Sequence, residues 1–240
     1  MSADPFLDVQ AVTKRFSGFQ ALSAVSLSIR EGERFGLIGP NGSGKTTLIN
    51  CISGTLGTDG GRIVFAGRDV TRLPAHRRTR LGIARTFQIP KPFISMTVLE
   101  NLLIPLEYAA HERQDVEVDD AMAILGHVGL APKARVRSGA LTQIEMRKLE
   151  LARAMAARPK LLVSDEAMAG LSSSEVDDIL AILFELNQRG ITIIMIEHIM
   201  RAVMRFSERI AVLDAGEKIA EGGPEEILAD KGVERAYLGE

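Results

Sequence analysis

One stretch near the amino terminus has the residue types that hold a chain of phosphates. Residues 39–47 read GPNGSGKTT and satisfy the pattern G-x-x-x-x-G-K-[ST], with Gly39, Gly44, Lys45 and Thr46 at the fixed positions. An apolar run precedes this loop and a helical pattern follows it, so backbone N–H groups and a helix N-terminus can surround phosphate oxygens. The Lys45 ammonium can reach β- and γ-phosphates, and the Thr46 hydroxyl can bind Mg²⁺. The stretch predicts a nucleotide-binding loop.

Two further strand ends carry groups that can activate water. The apolar run 161–164 ends in Asp165 and Glu166. One carboxylate can hold Mg²⁺ while its neighbour orients and deprotonates an attacking water. Residues 194–197 lead in the same way to His198, whose imidazole can donate a hydrogen bond to a γ-phosphate. An acid pair after a strand is weak evidence alone, but with the loop it predicts nucleotide hydrolysis.

The elements that must position these residues alternate between strands and helices. Apolar and alternating runs predict strands at 7–11, 24–29, 35–38, 62–65, 161–164, 191–196 and 210–213. Helical patterns cover 46–52, 121–128 and 145–157. Capping boxes predict two more helix starts, at Thr97 with Glu100 and at Ser172 with Glu175. The sequence therefore predicts an α/β nucleotide-binding core interrupted by a mostly helical insertion over roughly residues 89–158.

Charge and composition argue against several classes of protein. A net charge of −2 offers no basic field for nucleic acid, and the short basic cluster at 76–80 is interpreted as a solvated helix face. No run approaches the roughly 20 apolar residues of a membrane span, and the first ten residues lack a signal-peptide pattern. The single Cys51 excludes an intrachain disulfide and fits a reducing compartment. Any membrane role would therefore require a partner.

Together these motifs resemble those of the ATP-binding subunits of ABC transporters, over nearly the whole chain. The resemblance implies a P-loop NTPase core with an antiparallel β subdomain and a helical lobe. Residues 1–88 and 159–221 would form the core, 89–158 the lobe and 222–240 a C-terminal tail. ATP and Mg²⁺ are the implied cofactors. Contacts with the nucleotide are expected from Phe16, Gly39, Asn41, Gly42, Ser43, Gly44, Lys45, Thr46 and Thr47.

The same resemblance assigns roles at the reaction centre. Glu166 matches the catalytic base, His198 the switch histidine, and Gln88, in the run ARTFQ, the glutamine that contacts Mg²⁺ or the attacking water. The implied Mg²⁺ ligands are Thr46, Gln88 and Asp165. Phe16 matches an aromatic that stacks on adenine, although on packing grounds alone it fits a core position equally well. Residues 169–172 resemble the D-loop.

Three runs make the sequence look most like branched-chain amino acid importers and their relatives for urea, amides and aromatic acids. They are MTVLENL at 96–102, RKLELAR at 147–153 and AYLGE at 236–240. The resemblance implies two ATPase subunits, identical or paralogous, bound to transmembrane permease subunits at the cytoplasmic face of the inner membrane. It implies no nucleic acid partner, because an ABC-type clamp on nucleic acid would need a basic surface, a second cassette or a long coiled-coil insertion.

The segment IPKPF at 89–93 directly follows Gln88 and is predicted to dock a cytoplasmic helix of the permease. Its two prolines stiffen it, and Phe93 offers an apolar anchor. The alternative is that Phe93 packs in the core of the lobe itself.

Two positions depart from the family pattern. Where the signature LSGGQ is expected, the sequence reads LTQIE. The residues that would face the ATP of a partner subunit are therefore Thr142, Gln143, Ile144 and Glu145. Ala167 replaces the usual proline after the catalytic glutamate. A regulatory nucleotide binder with weak or no hydrolysis stays open as the alternative.

The altered signature suggests a heterodimer with unequal sites. Ile144 places a β-branched side chain where backbone should approach a phosphate, and Glu145 brings a negative charge toward another anion. The ATP bound by the partner would then be hydrolysed slowly. The alternative is that Glu145 caps its helix through the T-x-x-E box with Thr142 and turns away from the nucleotide.

Overall fold

The computed structural model describes residues 4–109 and 118–238, which form ten strands and nine α-helices. The strands are β1 Leu7–Phe16, β2 Phe19–Ile29, β3 Arg34–Ile38, β4 Gly60–Phe65, β5 Arg68–Asp69, β6 Ile83–Arg85, β7 Leu161–Asp165, β8 Thr192–Ile196, β9 Arg209–Asp214 and β10 Glu217–Gly222. The helices are α1 Lys45–Ser53, α2 Ala75–Leu81, α3 Val98–Ala109, α4 Val118–His127, α5 Gln143–Ala156, α6 Ser173–Gln188, α7 Met200–Phe206, α8 Pro224–Ala229 and α9 Lys231–Leu238.

A six-stranded sheet in the order β10-β9-β3-β8-β7-β6 places the predicted chemistry at one edge. Strands β9, β3, β8, β7 and β6 run parallel, and β10 is antiparallel to β9. Every residue of β7 and β8 is buried, which explains why these strands are continuous apolar runs. Carboxyl ends of parallel strands share one edge of a sheet. The loop after β3, the acid pair at the end of β7 and His198 after β8 therefore come together.

A second, four-stranded antiparallel sheet has the order β2-β1-β4-β5. Its first hairpin turns so that Phe16 pairs with Phe19 across the end of β1 and β2. A hydrophobic cluster fills the space between the two sheets and includes Phe35, Leu48 and Phe65. The expected antiparallel β subdomain is therefore present.

A second hydrophobic cluster joins the parallel sheet to the helices between β6 and β7. Met195 of β8 and Leu183 of α6 belong to it, as do Leu102 of α3, Leu125 of α4 and Leu149 of α5. The helical insertion thus has no core separate from that of the sheet. No helix within residues 4–109 and 118–238 combines the length and apolarity needed to cross a bilayer.

Arg78 corrects the interpretation of the basic cluster at 76–80 as a solvated face. Its side chain is buried on α2, and its guanidinium donates to the carbonyl oxygens of Cys51, Ile52, Thr71 and Leu73. These four carbonyl partners, two nearby in the sequence and two on α1, explain how a charged residue fits inside the fold.

The expected C-terminal tail is also structured as far as it is described. It begins within β10 and continues as α8 and α9, whereas Gly239 and Glu240 of the AYLGE run lie outside the described residues.

Candidate functional site

The phosphate loop lies between the end of β3 and the start of α1. Gly39 has φ +148°, and a Cβ there would lie 2.0 Å from the Leu213 carbonyl oxygen at the end of β9. Gly44 has φ +103°, and its Cβ would lie 2.8 Å from the Ala21 carbonyl oxygen. Both positions therefore require glycine, because neighbouring backbone leaves no room for a side chain.

The Lys45 side chain is buried and folds back over the loop. Its ammonium donates to the carbonyl oxygens of Gly39 at 2.7 Å and Pro40 at 2.9 Å. Burial lowers the pKa of Lys45, and the negative charges of Glu166 and Asp165 partly oppose that effect. The acid pair of β7 therefore lies close enough to Lys45 to interact with it through charge.

Asp165 ends β7 inside the protein rather than at the surface. Arg85 Nη2 donates to its Oδ2 at 2.6 Å, and Thr86 Oγ1 accepts its backbone N–H at 3.1 Å. The guanidinium of Arg85 also donates to Asn50 on α1. Sequence reasoning did not single out Arg85, although it lies three residues before Gln88 in the ARTFQ run.

Glu166 brings the three predicted catalytic residues together. Its Oε1 lies 2.9 Å from His198 Nε2, and its Oε2 accepts a hydrogen bond from Gln88 Nε2. The Glu166 backbone has φ +47°, and its N–H donates to the Ile196 carbonyl oxygen. One carboxylate is thus held by the segment after β6 and by the segment after β8.

A cleft of about 300 Å³ opens between these groups and the first hairpin. Its lining residues are Phe16, Phe19, Ala21, Asn41, Gly42, Ser43, Gly44, Lys45, Thr46, Thr47, Glu166 and His198. Phe16 is 45% exposed, which excludes the alternative that it is a core residue. Phe19, 66% exposed across the turn, was missed, although the spacing F-S-G-F already placed two aromatics on one hairpin. The cleft thus has an aromatic end and a phosphate-binding end.

The residues predicted to hold Mg²⁺ fit the ion by their chemistry, although only Thr46 of the three lines the cleft. Thr46, Gln88 and Asp165 offer a hydroxyl, an amide and a carboxylate oxygen, the hard ligands that Mg²⁺ prefers. Gln88 already uses its amide nitrogen on Glu166, which leaves its oxygen available to a metal ion. Among the described residues there is no cluster of three or more His, Cys, Asp or Glu side chains that would hold a metal. A bound nucleotide would have to supply the remaining oxygens.

Comparison with known proteins decides the family. A family model described as ABC transporter matches residues 22–169. The chain belongs to the ABC transporter family. The LivG branched-chain amino acid transport ATP-binding protein of Salmonella typhimurium is 40% identical over 253 aligned residues, covering 99% of both chains. The BraF protein of Pseudomonas aeruginosa, described in the same terms, is 38% identical over 251, covering 98% of both.

Solved ABC cassettes agree with the fold. A nucleotide-free ATP-binding cassette from an ABC transporter superimposes with a TM-score of 0.90 at 37% identity, covering 98% of this chain and 100% of the other. A dimeric cassette in a post-hydrolysis state, bound to ADP and Pi, gives 0.82 at 27% identity, covering 91% and 98%. The predicted family and ABC ATPase fold are therefore confirmed.

The four residues predicted to stand in place of the ABC signature lie at the start of α5, where Thr142 and Gln143 are exposed and Ile144 and Glu145 are half-buried. The Glu145 carboxylate accepts the Thr142 backbone N–H at 3.0 Å and pairs with Lys133 Nζ at 2.5 Å. The Lys133 contact is the main reason that the pKa of Glu145 lies below its usual value. Ile144 packs against the hydrophobic cluster that joins the insertion helices to the parallel sheet. The negative charge of Glu145, which was expected to slow hydrolysis of the ATP bound by a partner subunit, is thus compensated by Lys133. Glu145 caps its helix, as the alternative predicted.

Residues of α5 also bind the segment 169–172, which is predicted to be the D-loop. Gln143 Nε2 and Arg147 Nη2 both donate to the Ala169 carbonyl oxygen, at 3.3 and 3.2 Å. The buried Arg147 also donates, through Nη1, to the Gln88 carbonyl oxygen. Arg147 therefore connects three segments, and sequence reasoning had used it only as part of a run of residues.

The second departure from the ABC pattern does not disturb the backbone around it. Ala167 is buried, and the next residue, Met168, donates its N–H to Glu197 Oε1 at 2.8 Å. With alanine at position 167, Glu166 lines the cleft.

Proposed function

We propose that this chain is the ATP-hydrolysing subunit of an importer for branched-chain amino acids or for related small solutes such as urea, amides or aromatic acids. The observation that carries the proposal is the position of Glu166. Its carboxylate opens onto the cleft of the phosphate loop and is held by Gln88 and His198. Branched-chain amino acids are proposed from the descriptions of the similar proteins, and the other solutes from the resemblance of the sequence runs alone.

The geometry supports a direct attack by water on the γ-phosphorus. The Glu166 carboxylate accepts a proton from the water, whose oxygen bonds to phosphorus as the bond to the β–γ bridging oxygen breaks. His198 and Gln88 keep that carboxylate oriented, and Lys45 leaves the loop carbonyls to bind the phosphates. Mg²⁺, when bound through Thr46, Asp165 and Gln88, supplies charge neutralisation at the phosphates.

Two variants test the hydrolytic assignment. Lys45→Ala is expected to remove most ATP affinity in titration calorimetry, because a charge-assisted contact with the phosphates is lost. Glu166→Gln is expected to bind ATP normally while turnover falls to near zero, since an amide cannot accept the proton. Unchanged affinity in the first variant, or a parental rate in the second, contradicts the assignment.

The regulatory alternative, a nucleotide binder with weak or no hydrolysis, was raised by the LTQIE run and Ala167 in the sequence. An ATPase assay on the chain alone and mixed with a paralogous partner subunit separates the two. Hydrolysis in either assay favours the energising subunit, and its absence from both favours the regulator.

We further propose that the subunit works as a dimer, identical or paralogous, beneath permease subunits at the cytoplasmic face of the inner membrane. Four apolar side chains are exposed around the proposed docking segment: Phe87, Ile89, Phe93 and Ile94. Arg153 lies over the Phe93 ring at 5.5 Å and donates to the Lys91 carbonyl oxygen, which fixes the segment on α5. Phe93 is 44% exposed, so one part of its ring remains available to a partner.

Crosslinking tests the docking segment. A photoreactive residue at position 91 or 93 is expected to capture a permease in membranes that contain the whole transporter. The same residue at Arg205, on the exposed face of α7, serves as the control. Failure of both 91 and 93 to capture a permease overturns the docking proposal.

A further inference from the structure

The C-terminal helix reaches the phosphate loop. Tyr237, near the end of α9, accepts the backbone N–H of Gly39 through its hydroxyl at 2.9 Å. The helix is placed for this contact by Asp230, whose Oδ1 accepts the N–H groups of Gly232 and Val233 at its first turn. Val233 is buried, which docks the helix on the rest of the protein. A residue 198 positions along the chain thus bonds to the first residue of the loop.

Gly39 is the first residue of the phosphate loop, and hydrogen bonds on both sides of it orient the residues that follow. Parallel pairing of β3 with β9 ends at Ile38 and Val212, so the tyrosine rather than a strand receives the Gly39 N–H. The next residue is Pro40, which has no N–H to offer. On its other side Gly39 presents its carbonyl oxygen to Lys45 Nζ. The Tyr237 hydroxyl therefore fixes the peptide from which the rest of the loop, including the Lys45 contact, is oriented.

We propose that Tyr237 is a positioning residue for ATP, which holds Gly39 so that the loop is preformed for the phosphates. This inference rests on the proposed ATP function of the loop. Without the hydroxyl, the peptide between Ile38 and Gly39 can rotate, and only a fraction of molecules presents the competent loop. The apparent affinity for ATP is then the intrinsic affinity multiplied by that fraction. Once bound, the phosphates hold the loop themselves, so the rate of the chemical step is unchanged.

The test removes one oxygen atom, that of the Tyr237 hydroxyl. Tyr237→Phe keeps the ring and removes the hydrogen bond, and Tyr108→Phe makes the same change at the chain's other tyrosine as a matched control. ATP affinity is measured by calorimetry, KM and kcat by steady-state hydrolysis, and Tm by calorimetric unfolding without nucleotide. The loss of one neutral hydrogen bond predicts a Kd and KM for ATP about three- to ten-fold higher in Tyr237→Phe. Its kcat should match the parent, and its Tm should fall by only about 1–6 °C, the shift that one lost hydrogen bond produces in a chain of this length. The Kd and KM of the control should match the parent.

The other outcomes overturn the inference. A Kd for Tyr237→Phe within two-fold of the parent, while Lys45→Ala abolishes binding, means that the hydroxyl does not position the loop. A lowered Tm and kcat with unchanged Kd assigns Tyr237 a purely structural role. Normal binding by Lys45→Ala as well means that the loop is not the ATP site, which overturns both this inference and the proposed function.

Discussion

The backbone of Glu166 is left-handed, so its carboxylate points in a direction that a continuation of strand β7 would not give. Its φ of +47° is rare for a residue with a side chain and costs on the order of 1 kcal/mol. The turn is held by the hydrogen bond from its N–H to the Ile196 carbonyl oxygen, at 2.8 Å. The chain thus leaves β7 at Glu166, and the side chain meets Gln88 and His198 at the cleft.

Glu197 gives the protein a pH-dependent stability. It is 2% exposed, and burial is the main reason that its pKa rises from 4.5 to about 7, with the charge of Glu166 adding to the effect. A carboxyl with a raised pKa in the folded state contributes stability that is complete below pH 4.5 and lost as the pH rises through 7. The loss amounts to roughly 3 kcal/mol.

Replacing Glu197 by glutamine removes the carboxyl group that titrates. We expect the Tm of the parent to fall between pH 5 and pH 8 more steeply than the Tm of Glu197→Gln, because the amide does not ionise. Glu225→Gln, at an exposed position on α8, should follow the parent. Parallel curves for the parent and Glu197→Gln would show that Glu197 does not titrate in this range.

Arg147 is expected to act on turnover rather than on ATP affinity. Its forked guanidinium serves the carbonyl oxygens of both Gln88 and Ala169, and a lysine ammonium does not reproduce that geometry. Arg147→Lys should lower kcat about ten-fold and the free energy of unfolding by about 1–3 kcal/mol, with KM for ATP unchanged. Arg205→Lys, an exposed substitution on α7, is the control. A changed KM with an unchanged kcat would contradict this role.

Sequence reasoning found the residues that local pattern places at strand ends and missed those that act through distant partners. Gln88, Glu166 and His198 were predicted and meet at one carboxylate, although their roles in ATP hydrolysis stay predictions. Arg85 and Arg147 were not predicted as site residues because their partners lie on other elements. No local pattern shows which carbonyl or carboxylate a long basic side chain will meet.

At the scale of elements, the start of α5 shows how a helix cap and a neighbouring cation together compensate the charge of Glu145. Glu145 fulfils the T-x-x-E spacing by accepting the Thr142 N–H, as one alternative predicted, but its second partner, Lys133, follows α4 and was invisible to that pattern. The strands β3, β7, β8 and β9 were predicted because both faces are buried. Strand β10 was not, since none of its residues is buried, and helices α7–α9 were not, since each has eight residues or fewer.

The pairing of Glu145 revises what its substitution should do. Glu145→Gln keeps the cap and removes a charge already compensated, so hydrolysis at the partner's site should stay within about two-fold. Lys133→Met exposes the charge and should slow that site about ten-fold or more, since an uncompensated pair at about 8 Å costs on the order of 2 kcal/mol at an effective dielectric near 20. Both are measured in the Glu166→Gln background. A rise in rate with Glu145→Gln would restore the original charge argument for unequal sites.

For the whole molecule, ATP should control association. Glu166→Gln removes a negative charge near the phosphates and blocks hydrolysis, so it is expected to accumulate as an ATP-bound dimer, alone or with a paralogous subunit. Light scattering after size exclusion should give twice the monomer mass with ATP and the monomer mass with ADP. The double variant Lys45→Ala with Glu166→Gln should stay monomeric. A monomeric Glu166→Gln in ATP, with and without the paralogue, would contradict the dimer proposal.

The central place of β3 has a consequence for synthesis on the ribosome. Its neighbours in the sheet are β8 and β9, and Arg34 pairs with Ile193, about 160 residues later in the chain. At about 5–20 residues per second, the nascent strand waits roughly 10–30 s with Phe35, Leu37 and Ile38 lacking their sheet partners. A ribosome-bound chain should therefore acquire the ability to hold ATP only after residue 214 has left the exit tunnel, and chaperones have that interval in which to bind it.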